Sequence, residues 1–380
     1  MKIAFEEFKK GDLSEFYDFL QKNERWISNY ALFMSIKNEN DGKSWLEWED
    51  GLRKRDSHSL WEFKSSHEDD VMFWEFVQFK FFEQWNKLKK YANDNGVSII
   101  GDIPIYVALD SAEVWVYPDL FELDENLVPK AVAGCPPDAF SPTGQLWGNP
   151  LYRWDVHKNT GFEWWIKRLA HCFNMYDVVR IDHFRGLESY WEIPADSETA
   201  LNGKWVDGPK DEFFEVLIKT FGEEPPIIAE DLGIITDDVR ALRDKFGLPG
   251  MKILQFAFED EDSNYLPYNQ PYNCVCYTGT HDNDTTTGWY ATASEKARDK
   301  VRRYMNTDAS QVSWDFIRTC FGSPARFAII PVQDLFCQGS DCRMNTPGKA
   351  DGNWAYRMKK ELLTSDVAKR LYDVTKLYGR

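Results

Sequence analysis

No stretch of this sequence approaches the roughly 18 uncharged apolar residues that a membrane-spanning helix requires, so no membrane partner is expected. The opening residues, Met1-Lys2-Ile3-Ala4-Phe5-Glu6-Glu7, lack the apolar core of a secretory signal and are too acidic for a transit peptide. A cytoplasmic location is the expectation. Basic residues are also in short supply. The 45 Lys and Arg face 62 Asp and Glu, a net charge of −17, and that balance argues against a nucleic-acid partner, which needs a basic surface for phosphates. A neutral substrate fits better. Cysteine is sparse and odd in number: seven (Cys135, Cys172, Cys274, Cys276, Cys320, Cys337 and Cys342) in 380 residues make no disulfide framework. Cys274 and Cys276 alternate with Val275 and read as buried thiols on one face of a strand. Histidine is scarcer still, at six, with no His-x-x-x-His or similar spacing. No metal and no cofactor are expected.

Aromatic residues, by contrast, are plentiful: 16% of the chain, including 16 Trp. Most of these rings suit a bulky core, and some suit a sugar cleft, because a flat ring offers an apolar face to the C–H side of a pyranose. Composition alone does not separate the two.

Periodicity organises the chain. From Asp69 to Asn93, Phe73, Val77, Phe81, Trp85, Leu88 and Ala92 recur at three- and four-residue steps, which predicts one long helix ended by Asn95-Gly96. Short apolar runs of buried-strand type then follow at Val97–Ile100 (ending in Gly101-Asp102-Ile103-Pro104), Val178–Asp182, Ile227–Asp231, Met251–Phe256, Cys274–Thr278 and Phe327–Val332. Helical segments around 162–173, 212–220 and 236–246 alternate with them, which implies a parallel sheet with helices outside. No glycine-rich phosphate turn follows the first strand, so a (β/α)₈-type TIM barrel is favoured over a doubly wound sheet. Between Val107 and Asp155 lies a connection too long for an ordinary βα loop, with Pro118, Pro136, Pro137, Pro142 and Pro150 among Trp115, Tyr117, Phe140 and Trp147. It reads as an insertion that covers the substrate.

Three of the strands end in a carboxylate (Asp102, Asp182 and Glu230), and a fourth runs into Thr280-His281-Asp282-Asn283-Asp284. Barrel enzymes place their chemistry at such strand ends. Arg180 and Asp182, two apart on a strand, share a face, so the guanidinium would favour a charged carboxylate, as a nucleophile needs. A structural ion pair would look the same. Glu230 follows three apolar residues, where poor solvation would keep a proton available for general acid catalysis. Together they suggest the two opposed carboxyl roles of glycosidic bond cleavage.

Read in order, Gly101-Asp102-Ile103-Pro104, SPTGQLWGNP at Ser141–Pro150, RIDHFRG at Arg180–Gly186, AEDLG at Ala229–Gly233, THDN at Thr280–Asn283 and RMNTPG at Arg343–Gly348 resemble the 4-α-glucanotransferases. These are the amylomaltases, or disproportionating enzymes, of glycoside hydrolase family 77. The resemblance runs from about residue 97 to the end. It implies transfer of 4-α-glucan segments between maltodextrins, with Asp182 as nucleophile, Glu230 as acid/base and Asp282 as a third carboxylate that holds sugar hydroxyls. It also implies substrate contacts from Arg180, His281, His183, Asp102 and Asn283, and from Gln145 and Trp147 in the covering loop. An α-glucan hydrolase, an inert glucan-binding module and a metal-dependent hydrolase are the competing readings.

The family's chains open with two further barrel strands, so this sequence is expected to be truncated at its N-terminus. Residues 1–96 would be the helical segment before the third strand, and 97–380 the remainder of the barrel with its covering loop at 107–155. Lacking two strands of the barrel, such a chain has open edges. It would be a fragment, or require a separate N-terminal segment, or plug the gap with its own helices, the first being favoured. The isolated chain is then expected to be weakly active or inactive on maltotriose.

Overall fold

Apolar side chains at helical spacing fold the opening hundred residues into helices at Lys2–Phe8, Ser14–Lys22, Ile27–Glu39, Ser57–Ser66 and Glu68–Asp94. The computed structural model describes residues 1–137, 141–261, 263–349 and 351–380, so Phe140 lies outside the described residues. The long helix begins with Glu68, Asp69 and Asp70, whose charges suit the positive end of its dipole. It ends as Asn95-Gly96 predicts. Gly96 takes φ +74°, and the amide of Val97 reaches back to the carbonyl of Ala92 at 2.9 Å. Much of the aromatic excess is spent here. Phe5, Phe16, Phe76 and Phe79 form a buried cluster, with Phe8 set edge-on to Phe16 at 5.4 Å.

The chain divides into two units, Met1–Ile227 and Ile228–Arg380. In the first, strands follow the helices: β1 (Ile100–Pro104), β2 (Ala131–Cys135), β3 (Gln145–Pro150), β4 (Val178–Asp182), β5 (Ser189–Pro194) and β6 (Lys204–Asp207). A short β7 (Ile227–Ala229) spans the division. β1 and β4 pair in parallel from Ile100↔Val178 to Pro104↔Asp182, joined across the helix Glu163–Met175. That register sets Asp102 directly opposite Arg180. Gly101 is obligatory in this pair, since a Cβ there would stand 2.1 Å from the Tyr176 ring.

The Val107–Asp155 stretch carries regular structure of its own. It contains a helix at Ala112–Val116 and the antiparallel strands β2 and β3, which join β5 and β6 in a four-stranded sheet ordered β3-β2-β5-β6. Sequence patterning did not reveal this sheet.

His157, in the short helix Trp154–Asn159, is fully buried among the rings of Tyr152, Trp154 and Trp164. Burial pushes its imidazole down to about 4. The unfolded chain takes up a proton there below a pH of about 6.5 and the folded chain does not until near 4, so stability falls with pH across that window. Between pH 7 and pH 4.5 this one group is expected to remove about 2–3 kcal/mol. Urea denaturation of the parent and of His157→Phe at both pH values checks it. An identical acid-induced loss in the two proteins would refute the assignment.

The second unit contains β8 (Gly250–Ile253), β9 (Cys274–Tyr277) and β10 (Phe327–Ile329), parallel and ordered β10-β9-β8. The helices Glu295–Met305 and Val312–Phe321 cover β9, and their Val301, Phe316 and Cys320 pack with Cys274, Cys276, Leu254 and Phe258. Cys274 and Cys276 are buried, as their place in an apolar run implies, and all seven cysteines are free thiols. Each of the six apolar runs read from the sequence contains or leads into a strand, and the pairings β1–β4, β8–β9 and β9–β10 are parallel. Met251–Phe256 leaves the strand after Ile253 for a 3-10 turn at Leu254–Ala257, and Phe327–Val332 is a strand only to Ile329. Among the described residues no helix is long and apolar enough to cross a membrane.

Candidate active site

β4 delivers Arg180 and Asp182 to one face, as their spacing requires. Arg180 donates from Nη2 to Asp182 Oδ1 at 2.7 Å and from Nη1 to Asp102 Oδ2 at 2.5 Å. One guanidinium therefore grips carboxylates on two neighbouring strands. The arginine is 8% exposed, while the Asp182 and Asp102 side chains keep 44% and 46% of their surface open, so the cation lies beneath and the carboxylates face outward. Charge-assisted bonds of this length fix the direction of both acids.

The chain then turns sharply. His183 takes φ +55°, a left-handed conformation that costs a residue with a Cβ and tends to persist where surrounding structure enforces it. Its ring meets the Trp147 indole edge-on at 4.8 Å, and Trp147 Nε1 donates to Gln145 Oε1 at 3.1 Å. β3 thus brings Gln145 and Trp147 over the end of β4. The Nε2 of His183 is shielded from solvent, and burial, helped by the charge of Arg185, pushes its imidazole down to about 3. At neutral pH it is an uncharged hydrogen-bonding group.

In the second unit Glu230 stands just past β7, 9% exposed, and its Oε1 accepts the Leu232 amide at 2.7 Å. The next residue anchors the turn. Asp231 accepts from Arg243 Nη1 and, at 2.6 Å, from the amide of Met251. Gly250 leaves room for that pair, because a Cβ would stand 2.6 Å from Asp231 Oδ2. Burial pushes the Asp231 carboxyl up, opposed by Arg243 and the Met251 amide.

Asp282 lies on the loop after β9. Its Oδ1 accepts from Asn345 Nδ2 at 2.6 Å, its carbonyl accepts from Arg343 Nη2 at 2.5 Å, and its Oδ2 is 3.3 Å from His281 Nε2. Asn283 closes the turn, its Oδ1 accepting from the amide and the hydroxyl of Thr280. Both ends of the loop are tied to one buried carboxylate. Asp334 accepts from Thr278 Oγ1 at 2.6 Å and from the Thr286 amide and hydroxyl at 2.8 and 2.7 Å. Among the described residues no three His, Cys, Asp or Glu side chains converge as metal ligands would.

The first unit therefore assembles Asp102, Arg180, Asp182, His183, Gln145 and Trp147. The second holds Glu230 at its own strand end and gathers His281, Asp282 and Asn283 into one loop. The glycoside hydrolase 77 family model, described as 4-alpha-glucanotransferase, matches residues 1–364. The chain belongs to that family. The match takes in the helical opening as well as the motifs from residue 97 onward.

Relatives agree with it. A 4-alpha-glucanotransferase of Thermus thermophilus is 48% identical over 98% of this chain and 77% of its own length. One from Synechocystis is 46% identical over the whole of this chain and 77% of that protein. Amylomaltase from Streptococcus agalactiae, solved in complex with acarbose, superposes with a TM-score of 0.96 at 40% identity, covering 99% of this chain and 77% of that one.

In this glucanotransferase, sequence reasoning found Arg180 beside Asp182 but missed the other residues that hold the acids in place. Arg343 and Asn345 belong to a motif that was recognised without a role. Asp231 lies in the AEDLG motif with no role assigned to it, whereas its partner Arg243, and Asp334 with Thr286, lie outside every motif.

Proposed function

We propose that this chain transfers segments of α-1,4-glucan between maltodextrins by double displacement with retention at the anomeric carbon. The clamp of Arg180 on Asp182 and Asp102 carries the reading, because it aims an outward-facing carboxylate at the end of a buried parallel strand. In the first step Asp182 attacks the anomeric carbon, the bond to the leaving 4-oxygen breaks, and Glu230 gives that oxygen its proton. In the second an acceptor 4-hydroxyl loses its proton to Glu230 and attacks the same carbon, which frees Asp182. Such a mechanism works with the two carboxyl groups about 5–5.5 Å apart. The buried setting of Glu230 suits a group that must carry a proton between steps.

Asp282, held by Asn345, binds sugar hydroxyls and favours the flattened, oxocarbenium-like ring. His281 and the neutral His183 bind hydroxyls near the cleavage point, and Asn283 shapes the turn that presents Asp282. Asp102 shares Arg180 with the nucleophile. Gln145 and Trp147, in the 107–155 insertion, cover the sugars and exclude water, which favours capture of the intermediate by a second glucan. No cofactor enters any step. The six strands, each preceded by helical structure, are read as members of a (β/α)₈-type barrel, with 1–96 as a helical segment before them.

Maltotriose distinguishes the readings. Transfer yields maltodextrins longer than the substrate together with shorter ones. Only glucose and maltose would mean hydrolysis, and binding without turnover would mean an inert glucan-binding module.

A further inference from the structure

Trp354 is a large ring that the fold leaves in water. It is 62% exposed, yet its backbone has φ +57°, a left-handed conformation rare for a bulky residue. Its described neighbours are tied by hydrogen bonds. The Trp354 amide donates to the Met344 carbonyl at 2.8 Å, while Asn353 accepts from the Thr346 amide and donates to the Lys349 carbonyl, both at 2.9 Å. A braced loop thus spends backbone strain to hold an indole that has no core to fill. Its place is informative. The ring centroid lies 5.1 Å from that of His281, tilted by 38°, and His281 Nε2 is 3.3 Å from Asp282 Oδ2.

We infer that the Trp354 indole is a stacking platform for a glucosyl ring bound beside Asp282, an inference that rests on the glucan-transfer reading. A pyranose presents axial C–H groups on one face and hydroxyls around its rim. The indole meets the first need, by covering an apolar face that water otherwise wets. His281, whose ring centroid is 5.1 Å from that of the indole, and Asp282 next to it meet the second. Among the described residues the other exposed rings of this unit, Tyr268, Tyr272, Tyr304, Phe327 and Tyr372, show no ring contact with the His281–Asp282 loop; Tyr268 meets Tyr304, Arg326 lies over Phe327 and Lys376 over Tyr372. An exposed hydrophobic ring set against hydrogen-bonding groups of a catalytic loop is an arrangement for binding a ligand with both characters.

Trp354 binds without taking part in bond making, so its loss acts on ground state and transition state alike and appears in KM. Trp354→Ala is expected to raise KM for maltotriose by about 5- to 10-fold with kcat within about 2-fold, and Trp354→Phe to restore most of the loss. The melting temperature stays unchanged, because the side chain buries little. An unaltered KM in Trp354→Ala, or a phenylalanine variant no better than alanine, overturns the inference. Calorimetric titration of maltoheptaose into Asp182→Asn and into Asp182→Asn/Trp354→Ala tests it without turnover. Weaker binding by the double variant supports the platform and equal binding refutes it. If the parent chain forms no longer maltodextrins from maltotriose, the transfer reading fails on that ground, and the titration still decides the role of the ring.

Discussion

Asp182→Asn is expected to lower kcat for maltotriose disproportionation by at least about 10⁴-fold, with KM changed little. The amide has nearly the shape of the carboxylate and still accepts a hydrogen bond from Arg180, so the local fold is kept. What it loses is the anionic oxygen that, in the proposed mechanism, forms the covalent bond to the anomeric carbon. Water or an acceptor sugar must then attack directly, at a site shaped to hold a carboxylate in that position. The side chain is 44% exposed, and an ion pair so open to solvent contributes about 1 kcal/mol or less to stability. The melting temperature is therefore expected to move by no more than a few degrees. Initial rates by chromatography of the maltodextrin products, beside a thermal melt of each protein, check both parts. A variant retaining a tenth of the parental kcat would remove Asp182 from the nucleophile's role.

Asp182 and Glu230 stood out in the sequence for a physical reason. Parallel strands buried on both faces are continuous apolar runs, so Ile227-Ile228-Ala229 and Cys274-Val275-Cys276 announce themselves, and a carboxylate ending such a run is conspicuous. The antiparallel sheet had no such signal. β3 reads Gln145-Leu146-Trp147-Gly148-Asn149-Pro150, largely exposed and containing Gly and Pro, and β6 is four mostly exposed residues, Lys204–Asp207. Neither shows the alternation that identifies a half-buried strand. Pairing across long separations was equally hidden. Spacing places Arg180 beside Asp182, but its hold on Asp102, 78 residues earlier, depends on the register of β1 against β4. The bonds from Asn345 to Asp282 and from Thr278 to Asp334 span 63 and 56 residues, and no local pattern encodes them. Acids at strand ends, and a partner two residues away, can be read locally; the partners that arrive from distant segments are products of the tertiary fold.

Glu230→Gln separates the two carboxyl roles through the leaving group of the substrate. With maltotriose the departing 4-oxygen needs a proton, and removing the acid is expected to cost about 10²–10⁴-fold in kcat. With α-maltotriosyl fluoride the departing fluoride needs none, so attack by Asp182 proceeds close to the parental rate. The second step then stalls, since nothing deprotonates the acceptor hydroxyl, and the glycosyl group accumulates on Asp182. Intact-protein mass spectrometry should show an added maltotriosyl group in Glu230→Gln and none in Asp182→Asn or in the double variant. Azide attacks without needing a base, so adding it should discharge the intermediate and give a glycosyl azide of retained configuration. If Glu230→Gln processed maltotriose within tenfold of the parent, or lost the fluoride as completely as it lost maltotriose, Glu230 would not be the acid. General destabilisation cannot imitate the expected pattern, because a misfolded variant loses both substrates alike, whereas a folded enzyme lacking only its proton carrier fails where a proton must move.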